Sequence, residues 1–371
     1  MAEANTNDPK VVLTMIVRNE SPVIERCIRS IRPIIDAWCI VDTGSSDDTP
    51  AIVERALADL PGQLHHAPWR DFAHNRTQAL ELARPWGDFS IMIDADVECV
   101  LDPGVDAGEI RSALNADVHA VVFEDGGIHY SRPQITSTRL PFSYRGVLHE
   151  FLVQPASAQI GQTVTGMRFL SHPDGARSRN PTKYLDDVAL LRSAIDAHTE
   201  PDLDPRYTYY LANSLRDAGL DAEAADTYLQ RTGMDGWDEE RYMSWLWFAR
   251  LRRHIDGPTA EVFDALARAH DVIPTRAEAC CQAAVYAREA GRMPTAFVWA
   301  ARAVGITRPH SSLFLEPAVY EWRALYEYSI AAWYVGDLEG GRRACRQLLD
   351  EGLVPEPERA AVVGNLALYN Q

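Results

Sequence analysis

Ile91-Met92-Ile93-Asp94-Ala95-Asp96 ends a largely apolar, strand-like segment with two carboxylates one residue apart. In an extended strand, residues i and i+2 point to the same side, about 6.6 Å apart. Both acids are therefore expected to face one ligand, provided the C-terminal end of the strand opens into a cleft, which is where ligands bind in open α/β sheets. The spacing alone is not specific. Asp202-Leu203-Asp204 repeats it between Pro201 and Pro205, with no buried strand to aim it, and there it reads as a solvated turn and helix cap. Context has to carry Asp94 and Asp96.

That context is an alternation of strand and helix patterns from Lys10 to about Asp174. β-Branched and aromatic content predicts strands over 11–17, 38–41, 89–93 and 118–123, with a weaker one over 63–67. Between them, Ser21-Pro22 opens a helix through Ile35, Asp47 or Asp48 caps another through Leu60, and 72–83 is a third. Such alternation implies a largely parallel sheet. The stretch 125–137 reads as loop, and 164–170 as a strand returning toward the cleft. After about Asn180 the chain turns Ala-rich and aromatic at helical spacing. Helix, Gly-containing turn and helix recur at Tyr207 to Tyr228, Ala279 to Val304 and Tyr326 to Leu349, a pattern similar to tetratricopeptide repeats. The expected organisation is an α/β domain over 1–178 followed by an all-α domain over 179–371.

The 371 residues, 46% hydrophobic and 24% charged, are enough for two cores. A formal net charge of -17 argues against nucleic acid as a partner, since a polyanion calls for a basic surface. No apolar run reaches the roughly 20 residues a membrane span needs, and the N-terminus lacks the pattern of an export signal. Cys27, Cys39, Cys99, Cys280, Cys281 and Cys345 show no zinc-type spacing and mostly fall in apolar segments. They are expected to act as small core residues in a reducing cytoplasm.

Taken in order, Thr14-Met15-Ile16-Val17-Arg18-Asn19-Glu20, Val41-Asp42-Thr43-Gly44-Ser45-Ser46-Asp47-Asp48-Thr49 and Ile93-Asp94-Ala95-Asp96 resemble the family 2 glycosyltransferases of the GT-A fold. Trp69-Arg70-Asp71-Phe72-Ala73-His74-Asn75-Arg76 and Tyr144-Arg145-Gly146-Val147-Leu148-His149-Glu150 look like the subgroup with a C-terminal tetratricopeptide-like region, to which peptide S-glycosyltransferases are also similar. The resemblance covers roughly 10–185. The chain departs from it at Thr77, where relatives often carry Asn, and at Val97, where they often carry an acid that here comes one position later as Glu98.

The resemblance implies a nucleotide-sugar donor, UDP-linked, and residues for each part of it. Asp42 would accept the uracil N–H, with Thr14 beside it. Arg18, Asn19, Glu20 and Arg76 belong to the same donor pocket, and Asp94 would contact the ribose or a metal-bound water. Asp96 would bind the metal that bridges the phosphates, where hard oxygen ligands suit Mn2+ or Mg2+. A histidine often completes such a site, and His172, after the strand-like 164–170, is preferred to His149. Glu150 stands where inverting relatives place the general base; an ion pair to Arg145 or Arg139 is the alternative. Arg76 and the cluster Arg177, Arg179 and Lys183 are the basic groups best placed in sequence to meet the diphosphate, a solvated linker being the alternative for the cluster. The acceptor, a peptide, a glycan or a small molecule, is left open, as are the sugar and the linkage atom. The helical half is expected to shape the acceptor site or a homodimer contact.

Two other functions fit parts of the sequence. Haloacid-dehalogenase phosphatases also carry Asp-x-Asp after an apolar strand, but normally on the first strand and followed by Gly-Thr. A helical-repeat adaptor with an inactive α/β half would bind partners in a concave groove. The joint presence of Asp94, Asp96, a candidate base and a basic cluster favours the transferase.

Overall fold

β1 (Val11–Val17) is buried along its length apart from a half-buried Ile16, because it is flanked on both edges. β2 (Ala37–Asp42) pairs with it in parallel on one side, and β4 (Phe89–Met92) does so on the other. The computed structural model describes residues 8–126, 128–309 and 313–370. The chain forms two compact units, Met1–Leu190 and Leu191–Gln371.

The first unit also contains α1 (Ile24–Ile31), α2 (Thr49–Ala56), β3 (Gly62–His66), α3 (Phe72–Ala83), β5 (Val97–Leu101), α4 (Ala107–Ser112), β6 (Val118–Asp125), β7 (Ile128–Ser137), β8 (Ser143–Arg145), β9 (Phe151–Val153) and β10 (Met167–Ser171). Eight strands form one sheet in the order β3-β2-β1-β4-β7-β6-β10-β5, and β8 and β9 make a separate antiparallel ribbon. From β1 the chain winds outward through β2 and β3, then returns on the far side of β1 as β4. The C-terminal ends of β1 and β4 therefore flank the topological switch point where such sheets open a crevice. The mostly parallel α/β architecture implied by the GT-A resemblance is the one observed.

Helix limits follow from backbone chemistry. α1 buries Ile24, Cys27, Ile28 and Ile31 on one face and stops short of the expected Ile35, because Pro33 has no N–H to continue the ladder. α3 is capped by Asp71, whose Oδ1 accepts the His74 N–H at 2.7 Å. Its inward face carries Ala73, Arg76, Leu80 and Ala83, the i, i+3, i+7, i+10 spacing of one helical stripe.

Three expectations need correction. Asp94 and Asp96 do not lie on a strand: β4 ends at Met92, and the Val97 N–H donates to the Asp94 carbonyl at 3.1 Å, closing a turn that feeds β5. A turn, not the strand pleat, sets their spacing. The stretch read as a loop over 125–137 is mostly the ten-residue β7, antiparallel to both β4 and β6. Pro133 hid it. The register shift between His119 and Ala120 leaves Gln134 as an extra residue on β7, and such a bulge is where a strand tolerates proline. Asp204 begins a helix as expected, but Leu203 occupies the cap position and the Asp204 Oδ2 meets His198 Nδ1 at 2.9 Å instead.

α5 (Lys183–Ala197) runs across the boundary between the units. The second unit then holds α6 (Asp204–Asp217), α7 (Asp221–Thr232), α8 (Asp238–His254), α9 (Thr259–Val272), α10 (Glu278–Glu289), α11 (Met293–Val304), α12 (Ala324–Val335), α13 (Leu338–Asp350) and α14 (Glu356–Leu368). Each packs on its sequence neighbour, as the recurring helix, turn and helix pattern implied. Small residues on α10, from Ala279 through Ala287, are fully buried and allow close approach of adjacent helices. Gly336, with φ of 81°, ends α12 in the left-handed conformation that side chains resist.

One buried charge cluster ties this unit together. Arg276 is fully buried and reaches Glu239 at 2.5 Å and Glu278 at 2.9 Å; Nη1 also donates to the Leu313 carbonyl at 2.8 Å. Removing one partner strands the other charges in a low-dielectric interior. Arg276→Met is expected to destabilise the unit by about 3–5 kcal/mol, and adding Glu278→Gln should return part of that loss, both read by urea unfolding.

Candidate active site

A cavity of about 540 Å³ opens beyond the C-terminal ends of β1 and β4, within the size range of a small-ligand site. Val17 to Glu20 form one wall, and Asp94, Ala95 and Asp96 another. Thr43, Trp69, Phe72, Arg76, Ala176 and Arg177 complete it. Of the residues expected from sequence, Arg18, Asn19, Glu20, Arg76, Asp94, Asp96 and Arg177 meet in this cleft.

Loop geometry on the β1 side is fixed by side chains. Asn19 adopts a positive φ of 56°, which Asn tolerates better than most residues. Its Oδ1 accepts the Ser46 N–H at 2.8 Å, and its own N–H donates to Ser45 Oγ at 3.0 Å. Asp42 is buried, its Oδ1 accepting from Ser45 N–H at 3.0 Å and from Ser45 Oγ at 2.6 Å, with His66 Nδ1 3.2 Å from Oδ2. The carboxylate thus holds the Asp-Thr-Gly-Ser turn from behind, and Thr43 is the residue that faces the cleft. Thr14 is fully buried and its hydroxyl lies 2.6 Å from Ser90 Oγ, inside the sheet.

The acidic side of the cleft is electrostatically tense. Burial, reinforced by Asp94, pushes the Asp96 carboxyl up to about 6. Burial also pushes Glu20 up to about 7, with Asp96 and Asp94 adding to the effect against a 2.9 Å hydrogen bond from the Ala176 N–H. Asp94 differs. Burial works against its charge too, but Arg76 and Arg132 outweigh it and hold the carboxyl below its ordinary value.

Arg76 is the reason. It is 7% exposed, and Nη2 lies 2.5 Å from Asp94 Oδ1 while Nε lies 2.7 Å from Glu150 Oε1. The second contact is an ion pair rather than a directed hydrogen bond, since the Nε–H does not point along it and has no hydrogen-bond partner. Burial opposes the guanidinium charge, but the two carboxylates prevail and raise its pKa. Glu150 therefore pairs with Arg76, not with Arg145 or Arg139 as the alternative reading had it. It lines a second cavity of about 140 Å³ with Arg132, Tyr144 and Phe151, and Arg76 borders both cavities.

The segment after β10 closes the cleft from the other side. Arg26 grips Asp174 through two bonds of 2.7 and 2.8 Å. Gly175 packs so near Asp96 that an added Cβ would lie 2.6 Å from Oδ2. Arg177 pairs with Asp187 at 2.5 Å and stacks over Phe72 at 5.1 Å, and Phe72 in turn meets Trp69 edge-on at 4.8 Å. Arg179 donates to the Asn19 carbonyl at 3.3 Å, and Lys183 Nζ sits 4.8 Å from the Tyr184 ring; neither lines the cleft. His172 Nε2 is 3.0 Å from Glu98 Oε2. Among the described residues no three His, Cys, Asp or Glu side chains are gathered to hold a metal on their own.

Sequence reasoning missed Arg132, whose Nη2 is 3.8 Å from Asp94 Oδ2, because its strand was read as loop. The two departures from the family pattern are both in use: Thr77 Oγ1 accepts the Tyr144 N–H at 2.8 Å, and Glu98 takes His172. Among the described residues no helix is long and apolar enough to cross a membrane.

Residues 13–104 match the family model described as Glycosyl transferase family 2. A TPR repeat-containing protein of Synechococcus elongatus is 33% identical over 172 residues, which are 44% of this chain and 40% of that protein. The SPbeta prophage-derived glycosyltransferase SunS of Bacillus subtilis is 28% identical over 167 residues, 38% of each. These alignments span less than half the length of the relatives concerned. Among solved structures, Staphylococcus aureus TarS 1-349 in complex with UDP-GlcNAc matches with a TM-score of 0.38 and 14% identity, over 81% of this chain and 93% of that one.

The raised Glu20 carboxyl carries a stability cost with a definite sign. Below pH 4 it is neutral in both folded and unfolded chains. As pH rises through about 7 the fold must accept a charge it disfavours, while the unfolded chain ionises freely. Glu20→Gln is therefore expected to raise the thermal midpoint by about 2–4 °C at pH 8 and to leave it unchanged at pH 4. A lower midpoint at pH 8, by calorimetry, would contradict the assignment.

Proposed function

From a glycosyl transferase family 2 domain over residues 13–104, we propose a metal-dependent, inverting glycosyltransferase that moves a hexose from a UDP-linked donor to a peptide, glycan or small-molecule acceptor. The observation that carries this reading is the meeting of Asp94 and Asp96 at the switch-point cleft, with Glu150 on the adjoining cavity and joined to Asp94 through Arg76. Relatives that bear glycosyltransferase names support it. The reducing cytoplasm suggested by the cysteine usage is part of the same proposal.

The residues fit a hard cation. Asp96 and Glu20 are carboxylates whose charge is disfavoured until something positive arrives, and oxygen ligands suit Mn2+ or Mg2+. Asp96 would hold the ion, with His172 joining only by leaving Glu98. When bound, such a cation supplies positive charge to the leaving diphosphate. Arg18 and Arg177, which also line the cleft, would add positive charge. Asp42 and the Thr43 turn would read the uracil, Ser45 giving up its bond to Oδ1, and Thr14 supports that floor from within the sheet.

The acceptor lone pair attacks C1 of the sugar on the face opposite the diphosphate. As that bond forms, the bond from C1 to the phosphate oxygen breaks and UDP leaves with its electron pair. Glu150 takes the proton released by the acceptor. Attack opposite the leaving group inverts the anomeric configuration.

Glu150→Gln is expected to keep UDP affinity in the presence of Mn2+, by calorimetry, while turnover falls roughly 10²–10⁴-fold. Asp96→Ala should abolish the Mn2+ dependence of UDP binding. Near-normal turnover in the first variant, or unchanged metal dependence in the second, would defeat the respective assignment.

A further inference from the structure

We propose that Arg76 is a positioning residue that sets the general base relative to the donor site, and that it does not contact the diphosphate. The inference rests on Glu150 being that base. Its grounds are geometric. One nearly buried guanidinium spans two carboxylates from different parts of the chain, Asp94 on the 540 Å³ cleft and Glu150 on the 140 Å³ cavity, and itself lines both spaces.

Arg76 arises from the inward face of α3, among Ala73, Leu80 and Ala83, so it is held along its stem by packing. The planar guanidinium then meets both carboxylates at once, Asp94 through a directed Nη2–H bond and Glu150 through an ion pair at Nε, a two-sided reach that a compact lysine ammonium lacks. Turning the fork toward a phosphate would take from Glu150 its guanidinium partner and leave Asp94 with Arg132, 3.8 Å away. Arg132, 44% exposed at its side chain and lying over the Phe123 ring at 4.1 Å, stands 3.8 Å from Asp94 and does not replace the 2.5 Å contact of Arg76. The ring of Tyr144, 5.8 Å from Cζ, backs the guanidinium, and the Tyr144 N–H is anchored to Thr77 on the same helix. Donor aspartate and base are thereby tied to one helix, although they lie 56 positions apart in sequence.

The test uses the full chain with UDP-glucose and UDP-N-acetylglucosamine as donors and water as acceptor, with UDP and Mn2+ binding measured in parallel. Arg76→Lys keeps the charge and loses the two-point hold; hydrolytic kcat should fall about 100-fold, the scale of a misplacement near 1 Å. Donor KM and UDP affinity should stay within about threefold. Arg76→Gln should lose at least as much kcat. If the Gln variant does not fold, the Lys variant decides alone. A tenfold or greater loss of UDP affinity with kcat close to wild type would make Arg76 a phosphate contact and overturn the proposal. Parallel losses in kcat, KM and UDP affinity would reduce it to general scaffolding and overturn it equally. Wild-type hydrolysis by Glu150→Gln, measured with Arg76 intact, would instead remove the base assignment on which the proposal stands.

Discussion

A nearly buried arginine between two carboxylates is the constraint on which the first unit's cleft depends. Enclosing a guanidinium is unfavourable unless it is paired, so once α3 turns Arg76 inward, the fold must bring carboxylates to it. Asp94 comes from the turn after β4, and Glu150 from just before β9. Electrostatic satisfaction of one side chain therefore decides the spacing of the groups on which the proposed chemistry rests.

The same interaction divides the acids of the site into two kinds. Asp94, paired with Arg76, is ionised well below neutrality, whereas Asp96 and Glu20, half-buried on the same cleft without an equivalent partner, resist ionisation. A cleft built in this way stores unfavourable electrostatics that a cation would relieve, a common trade of stability for function. The segment from Ser171 to Asn180 confines that tension by packing Gly175 on Asp96 and fastening Asp174 to Arg26.

In the helical unit, charge is handled differently. Arg231 with Glu240, and Arg276 with Glu239 and Glu278, are buried pairs within stacked helices. Arg288 is bidentate to Glu327, with contacts of 2.6 and 3.0 Å. These pairs join residues on different helices, or tie the loop before α10 to α8 and α10, so they help specify which helices neighbour which. Around them, alanine and aromatic packing supplies the bulk of the core.

Much of this was legible before any coordinates. Apolar periodicity gave β1, β2, β4 and α3 nearly to the residue, and the glycine-punctuated pairs α6–α7, α10–α11 and α12–α13 were visible from their spacing, because burial imposes a local period on sequence. β5 and β7 were not: one is short and follows directly on the acidic turn, the other is broken by Pro133 at a bulge, and neither shows clean alternation. The inward face of α3 could have warned that Arg76 needs buried partners, but which carboxylates it meets could not be read from spacing. The sequence by itself determined the alternation of strand and helix and the paired helices that follow, since these come from local pattern. Tertiary structure alone decided that Asp94 and Glu150 share one guanidinium and that His172 turns to Glu98, because pairings between distant residues depend on how the sheet orders its strands.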